Sequence, residues 1–373
     1  MRIVLTIFIG IHGMIHLFGF FKAFGLAEFK AISQAISKAT GSCWFLTFLL
    51  FTITAILLLI HSDHWWVYGL MAVVISQILI FIFWSDAKFG TLSNVIILSA
   101  TIIGYSSFNF KQNIKAERIS LFENAKFEDQ DIITEEDLVG LPPIIKKWLI
   151  QSGITDKQSI ANVRLVQELL LKLKPEETNW SEGTAEQYFT IQPPAFNWTI
   201  LTEINPILPV VGRDKFEDGK GEMIIKLLFL IPVAQAKDDE KVDQATLQRY
   251  LAEIVWFPSA SLSPYIKWET IDDYSASATM TYNGTTGSGE FHFDKDGNFE
   301  KFTCERYRDS KASKTNQWTV LATKLEERNG ITIPVECEVN WELEAGEWTW
   351  LTLKITEIQY DLKVIPLADK VRP

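Results

Sequence analysis

Four long apolar segments in the first 108 residues constrain this chain more than any other feature. They are residues 3–21, 43–60, 65–84 and 92–108, each 17 to 20 residues long, and the first and last carry no charged side chain. At about 1.5 Å per residue, a helix of that length matches the ~30 Å hydrocarbon core of a bilayer. The segments lack the polar stripe of a helix buried in a soluble domain. We therefore predict a domain of four transmembrane helices over residues 1–108.

The charge of the chain divides near the end of these segments. Residues 1–118 hold 8 of the 35 basic and 4 of the 46 acidic side chains, which leaves 27 basic and 42 acidic ones in 119–373. A globular part this acidic is repelled by phosphate backbones, so nucleic acid is not an expected partner. Membrane lipid is. Lysine and arginine fall equally on the two sides of the four segments, so the positive-inside rule does not orient the chain.

Polar residues inside the apolar segments are candidates for function because they are costly in lipid. His12 and His16 are four residues apart and share a helix face, Gln77 lies in the third segment, and Asp86 and Lys88 close it. They predict either a proton-relay or metal-binding cluster, or neutral imidazoles hydrogen-bonded to neighbouring helices. The HxxxH spacing lacks the intervening Glu and the third ligand of a zinc site. We predict no metal and no cofactor.

Two polar stretches border the apolar segments. Residues 25–42 place Leu26, Phe29, Ile32 and Ile36 on one helical face, which predicts a short amphipathic helix in the membrane interface. Residues 109–135 are largely polar and are predicted to be a linker.

The rest of the chain, residues 136–373, is predicted to be a soluble β-rich domain. A helical start at Thr134 leads into this domain, and a short helix follows from Ile144 to Gln151 and ends at Gly153. Apolar side chains then occupy every second position in several runs, a pattern typical of antiparallel strands with one face in water. The clearest runs are 163–173, 274–282 and 335–343.

Turn residues, and one slip in the apolar alternation, indicate how these strands connect and curve. Turn pairs that predict hairpins occur at 283–284, 296–297, 329–330 and 345–346. The apolar alternation slips by one residue near Thr356, which predicts a β-bulge that curves the sheet. We expect ten to twelve strands in one large curved antiparallel sheet packed on one main helix, an α+β domain.

The main helix is predicted over residues 243–257, with Asp243 as its N-cap and an apolar stripe that covers the sheet. Arg249 and Glu253 are spaced to form an ion pair, and Trp256 follows on nearly the same side. These three residues, with Arg306 in a strand as an anion contact, are candidates for ligand binding on the concave face of the sheet. The alternative is an exposed helix rim that contributes little stability.

Two further features have alternative interpretations. The apolar stretch 224–233 is too short to span a bilayer and predicts either a buried strand or a loop that dips into the membrane. Cys304 and Cys337 could form a disulfide in an oxidising compartment, or they could be two buried free thiols in neighbouring strands.

Several segments resemble an uncharacterised family of bacterial membrane proteins known as a domain of unknown function. The segments are HGMIHLFGFFKAFGLAE (12–28), SDAKFGTLSNVIIL (85–98), DGKGEMIIKLLFLIPV (218–233), RYLAEIVWFPSA (249–260) and WETIDD (268–273). The resemblance implies a bacterial source and a multi-pass protein of the inner membrane. It carries no catalytic assignment, so it identifies no functional residues in this chain. The predicted curved sheet is loosely similar to the half-barrel of bacterial lipoprotein carriers, an analogy of fold alone.

The sequence contains no strong catalytic motif, so an enzyme is not favoured. The leading hypothesis is a membrane-tethered binding module that holds a lipid-like, apolar or peptide ligand on its sheet. The alternatives are an enzyme or transporter that works through the intramembrane polar residues, or a scaffold for envelope assembly. The sequence leaves the oligomeric state and the side of the membrane open.

Overall fold

A computed structural model describes residues 2–29, 32–125, 131–203 and 208–366. The chain forms two compact units. The first is Met1–Ile114 together with Leu228–Leu230, and the second is Lys115–Leu227 together with Ile231–Pro373.

The first unit consists of helices, and the four predicted spans are confirmed as helices long and apolar enough to cross a membrane. The helices are α1 (Arg2–Ala23), α2 (Lys38–Leu59), α3 (Trp65–Ile82), the short α4 (Trp84–Ala87) and α5 (Gly90–Glu123). Helices α1 and α2 approach closely because α1 carries glycines where α2 carries aromatic rings. A Cβ atom on Gly19 would lie 2.2 Å from the Trp44 ring, and small residues have this role in membrane helix pairs generally.

The loop between α1 and α2 is not the amphipathic helix predicted for residues 25–42. Its described residues before Lys38 are irregular, and residues 30 and 31 lie outside the described chain. The reason is that side chains elsewhere engage the backbone of the loop: Asp86 accepts hydrogen bonds from the backbone N–H groups of Ser33 (2.8 Å) and Gln34 (3.3 Å). These donors are therefore satisfied without a helix.

Most of the predicted linker is also helical. Helix α5 continues past the apolar segment to Glu123 and so runs through much of the stretch 109–135 that is predicted to be a linker; residues 126–130 of that stretch lie outside the described chain. The polar residues after Phe108 are mostly good helix formers without glycine or proline. Their polarity therefore marks the point at which the helix leaves the apolar region. The helix itself is not interrupted there.

In the described residues, the second unit is built on one thirteen-stranded antiparallel sheet that curls into a half-barrel, which confirms the predicted fold class. The strands are β1 (Asn162–Leu171), β2 (Ser181–Thr190), β3 (Ala195–Glu203), β4 (Pro209–Glu217), β5 (Lys220–Leu227), β6 (Ile231–Ala236), β7 (Ile266–Thr270), β8 (Ser275–Tyr282), β9 (Thr285–Phe293), β10 (Phe299–Arg306), β11 (Asn316–Arg328), β12 (Ile331–Leu343) and β13 (Gly346–Tyr360). Their number exceeds the predicted ten to twelve because β2 buries polar side chains and β4 half-buries them, which hides the alternation.

The strand order shows that the sheet consists of two meanders joined in the middle. One meander runs from β1 to β6 and the other from β7 to β13, and β1 pairs with β13. The predicted bulge is confirmed, since Val166 pairs with Glu357 and Gln167 with Ile355, which leaves Thr356 as the extra residue.

One main helix, α7 (Glu240–Glu253), covers the inner face of this sheet. It begins three residues before the predicted N-cap because Asp239 accepts the first backbone N–H groups, from Lys241 (2.9 Å) and Val242 (3.3 Å). Asp243 instead accepts from the backbone N–H of Gly221. The helix ends at Glu253 and is followed by a 3-10 turn, Ile254–Trp256.

A hydrogen bond joins the two meanders of the sheet, and two short helical segments precede β1. The hydroxyl group of Thr285 donates to the carbonyl oxygen of Gly219 (2.7 Å), which joins the turn after β4 to the start of β9. A 3-10 turn over Glu135–Leu138 and helix α6 (Pro143–Ser152) confirm the two predicted helical starts, and Gly153 ends α6 with φ = 77°.

The apolar stretch 224–233 forms a hairpin, not one buried strand. Strands β5 and β6 take its two ends, and Leu228–Leu230 form the turn between them. Most of its side chains are half-buried or exposed, and Phe229 is buried.

All three cysteines are free thiols. Cys304 lies on β10 and Cys337 on β12, with β11 between them, so both are buried thiols as the alternative predicted, but they do not lie in neighbouring strands. Burial raises the pKa of each thiol to about 12.

We expect both of these thiols to resist a water-soluble disulfide reagent in the native protein, because the reactive thiolate is suppressed and inaccessible. In a Cys43→Ser background, two thiols should react only after denaturant unfolds the chain. A Glu344→Cys variant, placed at an exposed turn, supplies a third thiol that should react at once. Rapid native reaction of all three would contradict the burial of Cys304 and Cys337.

Candidate functional site

A charged cluster lies between α7 and the inner face of the sheet. Nε of Arg249 donates to Oε1 of Glu253 (2.9 Å), so the ion pair expected from their spacing is present. Nη1 of Arg249 donates to Oδ2 of Asp214 on β4 (2.8 Å), and Nε2 of Gln187 on β2 donates to Oε2 of Glu253 (2.8 Å). The pair is thus tied to two strands and is not the exposed helix rim of the alternative interpretation.

Aromatic rings surround the Arg249 guanidinium. Its carbon lies 4.6 Å from the centroid of the Trp198 ring and 5.1 Å from that of Phe196, both on β3. A guanidinium held over ring faces gains cation–π attraction. Nε1 of Trp198 donates in turn to Oε1 of Gln167 (2.9 Å).

A row of tryptophans crosses the neighbouring strands β11, β12 and β13. Trp318 pairs with Trp341, and Trp341 pairs with Trp348, so the three side chains lie side by side on one face. The indole Nε1 atoms of Trp318 and Trp348 are buried and have no hydrogen-bond partner among the described residues. A buried indole N–H usually has an acceptor, and two unpaired donors in one row are unusual.

Arg306, the last residue of β10, lies over this tryptophan row. Its guanidinium carbon is 4.6 Å from the Trp318 centroid and 5.7 Å from the Trp341 centroid. Nε donates to the carbonyl oxygen of Ala245 on α7 (3.0 Å). Within the described part of the chain, the two terminal nitrogens have neither a hydrogen-bond acceptor nor a carboxylate partner. These nitrogens are therefore available to an anionic or carbonyl oxygen.

Burial shapes the electrostatics of the inner face. It raises the pKa of Asp214 and of Glu253, although Arg249 opposes both shifts. It also lowers the pKa of Arg306 to about 10, against the attraction of the same two carboxylates. Two guanidinium groups therefore share this face with two carboxylates, and both carboxylates are engaged by Arg249.

Trp256, the fourth ligand-binding candidate, lies in the core instead. It is buried, its Nε1 donates to the carbonyl oxygen of Pro334 (3.0 Å), and its ring packs edge-on against Phe189. The prediction of a shared side with Arg249 assumed a continuous helix, but α7 ends at Glu253 and the tighter 3-10 turn rotates Trp256 away. The structure thus gathers Arg249, Glu253 and Arg306, and separates Trp256 from them.

Sequence reasoning missed a second charged cluster, on the outer face of strands β1 to β3. The buried Glu186 accepts from Nε of Arg164 (2.7 Å) and from Nη1 of Arg118 (3.0 Å). The hydroxyl group of Tyr188 also donates to it (3.2 Å), and burial together with this carboxylate raises the pKa of Tyr188 to about 12. Arg164 between two apolar residues of a predicted strand was the signal that could have found it.

The helical unit contains a polar network of its own. His12 Nε2 lies 3.0 Å from Oδ1 of Asn94, and His16 Nε2 lies 2.9 Å from Oγ of Ser76. The Asn94 amide donates to Ser76 (3.1 Å) and to Oε1 of Gln77 (3.0 Å). These groups satisfy one another, which favours the interpretation of imidazoles hydrogen-bonded between helices.

Asp86 and Lys88 lie apart from this network. Asp86 accepts hydrogen bonds from the backbone N–H and the hydroxyl group of Ser33 in the loop. These bonds lower the pKa of Asp86. The Lys88 amine lies 5.4 Å from the Phe89 centroid. Across the described residues, no group of three or more His, Cys, Asp or Glu side chains could hold a metal ion.

Comparison with known proteins identifies the family. The profile of the DUF6920 family, described as a family of unknown function, matches residues 139–360. The chain belongs to this family. No curated protein matches it.

The DUF6920 region contains the whole inner-face cluster and the tryptophan row, whereas the intramembrane network lies before it. Among solved structures, a LolA superfamily protein from Nitrosomonas europaea shows a weak similarity, at 11% identity and a TM-score of 0.31. The match covers 60% of this chain and 93% of that protein.

Proposed function

We propose that this DUF6920 protein is a multi-pass protein of the bacterial inner membrane whose half-barrel binds a lipid-like ligand with an anionic head group. The observation that supports the proposal is Arg306. Its guanidinium carbon lies over the Trp318 and Trp341 rings, and its two terminal nitrogens are unpaired among the described residues.

Arg306 and the tryptophan row offer groups for both ends of such a ligand, the anionic head group and the acyl chain. Arginine is well suited to phosphate and carboxylate because its planar fork can donate two parallel hydrogen bonds. The unpaired indole N–H groups of Trp318 and Trp348 would supply further donors beside it. Their ring faces offer apolar area for an acyl chain. Asp214 and Glu253 do not compete for Arg306 at bonding distance, because both are hydrogen-bonded to Arg249.

The proposal predicts a specific effect of replacing Arg306. In the full chain, reconstituted into nanodiscs that contain a photoactivatable, clickable phosphatidylglycerol analogue, the probe should label peptides of β10 to β13. An Arg306→Gln variant should lose about tenfold or more of that labelling, because hydrogen bonds to charged groups contribute about 1.5–3 kcal/mol. The labelled peptides are read by mass spectrometry.

Arg328→Gln is the matched control, since Arg328 lies at the opposite end of β11 from Trp318 and pairs with the nearby Glu326. It should label like the unmodified protein. Equal labelling of the two variants would reject Arg306 as the head-group contact. Absence of labelling in β10–β13 of the unmodified chain would reject the binding site itself.

A further inference from the structure

The turn between β5 and β6 has an unusual combination of backbone and side chains. Leu228 and Phe229 have φ values of 55° and 60°, in the left-handed region that favours glycine and asparagine. Large apolar residues in this conformation are uncommon and costly, and where such strain is kept it often accompanies function. The turn therefore retains apolar side chains where glycine or asparagine would fit the backbone better.

The strand that follows the turn is apolar and exposed. Leu230 is 42% exposed, Ile231 50% and Val233 58%. Strand β6 is an edge of the sheet, and exposed edges normally carry charged residues that prevent association. Residues 230–236 contain no charged side chain. An aqueous setting does not account for this composition.

The turn of the hairpin, Leu228–Leu230, belongs to the helical unit. Leu228–Leu230 group with Met1–Ile114, and the buried Phe229 ring packs edge-on against Phe110 of α5 with centroids 6.0 Å apart. Phe110 lies between the last apolar segment, which ends at residue 108, and the first following lysine, Lys111. Aromatic residues followed by lysine mark the membrane–water interface. The turn therefore lies beside the part of α5 where the membrane surface is expected.

We propose that residues 228–233, here called the hairpin tip, insert into the interfacial layer of the bilayer and contact lipid directly. The exposed Leu230, Ile231 and Val233 side chains would then be buried among acyl chains and head groups rather than in water. The neighbouring Pro232 removes a backbone N–H donor, which makes the edge less costly in a poorly hydrated layer. The proposal is independent of ligand binding at Arg306.

Site-directed fluorescence on the full chain tests it. In a background with Cys43, Cys304 and Cys337 replaced by serine, a single cysteine at Val233 carries an environment-sensitive NBD label. The chain is reconstituted into phosphatidylcholine nanodiscs, with or without a lipid that carries a doxyl quencher near the head-group end of its acyl chain. We expect blue-shifted emission and loss of intensity with the quencher. The same label at Glu344→Cys, an exposed turn, should show neither.

The other outcomes overturn the proposal. Emission at Val233 equal to that at Glu344→Cys would show that the tip lies in water. Blue-shifted emission without doxyl quenching would show that protein, such as a second copy of the chain, covers it instead. A second label at Leu230→Cys repeats the comparison in case the first substitution disturbs the strand.

Discussion

Replacing Glu186 with glutamine is expected to lower the free energy of unfolding of the half-barrel by about 3–5 kcal/mol, because the change leaves buried charge without its partner. The Glu186 carboxylate is fully buried and accepts hydrogen bonds from Arg164 and Arg118. Glutamine keeps the shape but removes the negative charge and turns an N–H group towards a guanidinium. Denaturant unfolding of the full chain in detergent, followed by near-ultraviolet circular dichroism, measures the loss.

Glu357→Gln is the matched control. Glu357 lies 3.3 Å from Nη1 of the same Arg164, but its side chain is 40% exposed. Water screens such a pair, so its loss should cost less than about 1 kcal/mol. Similar destabilisation by the two variants would show that the Glu186 cluster does not depend on buried charge.

Replacing Trp256 with alanine is the second large effect, again about 3–5 kcal/mol, because the change leaves a cavity in a packed core. The ring is buried against Phe189, and its N–H pairs with the carbonyl oxygen of Pro334. This outcome would assign Trp256 to the core of the domain, in contrast to the ligand-binding candidates Arg249 and Glu253 near it in sequence. Ligand labelling in the remaining folded fraction should be unchanged, whereas a true ligand contact would lose it.

Trp180→Ala makes the same change at a site that is 36% exposed. Trp180 contacts the Lys172 amine at 4.4 Å, an exposed cation–π pair expected to contribute about 0.5–1 kcal/mol. The same unfolding experiment should therefore separate the two tryptophans clearly. If Trp256→Ala were as mild as Trp180→Ala, its burial would not be what stabilises this part of the sheet.

Features that depend on nearby residues were predictable from the sequence. The helix end at Gly153 and the bulge at Thr356 each leave a local signature, a turn residue or a slip of phase. That the predicted linker would begin as a helix was not predictable from its polarity alone, because Lys111 to Glu123 continue helix α5 beyond the apolar segment. The amphipathic pattern of 25–42 failed because Asp86, far along the chain, binds the backbone of the loop.

The candidate site was predictable only in part, for a related reason. Arg249 and Glu253 share a helix face, so their pairing follows from spacing alone. Asp214 and Gln187 join them from two different strands, and that contact depends on a register that no local pattern specifies. The tryptophan row likewise exists only once β11, β12 and β13 align.

The pairing of β1 with β13 has a consequence for how the protein is made. As the chain leaves the ribosome, β1 to β6 can form a meander early, but Val163 meets its partner Tyr360 only when β13 has been translated. Until then β1 presents an open edge, which can pair with other chains, and such distant pairing is slow to form. Nascent chains of this protein therefore pass through an aggregation-prone interval that closes with the thirteenth strand.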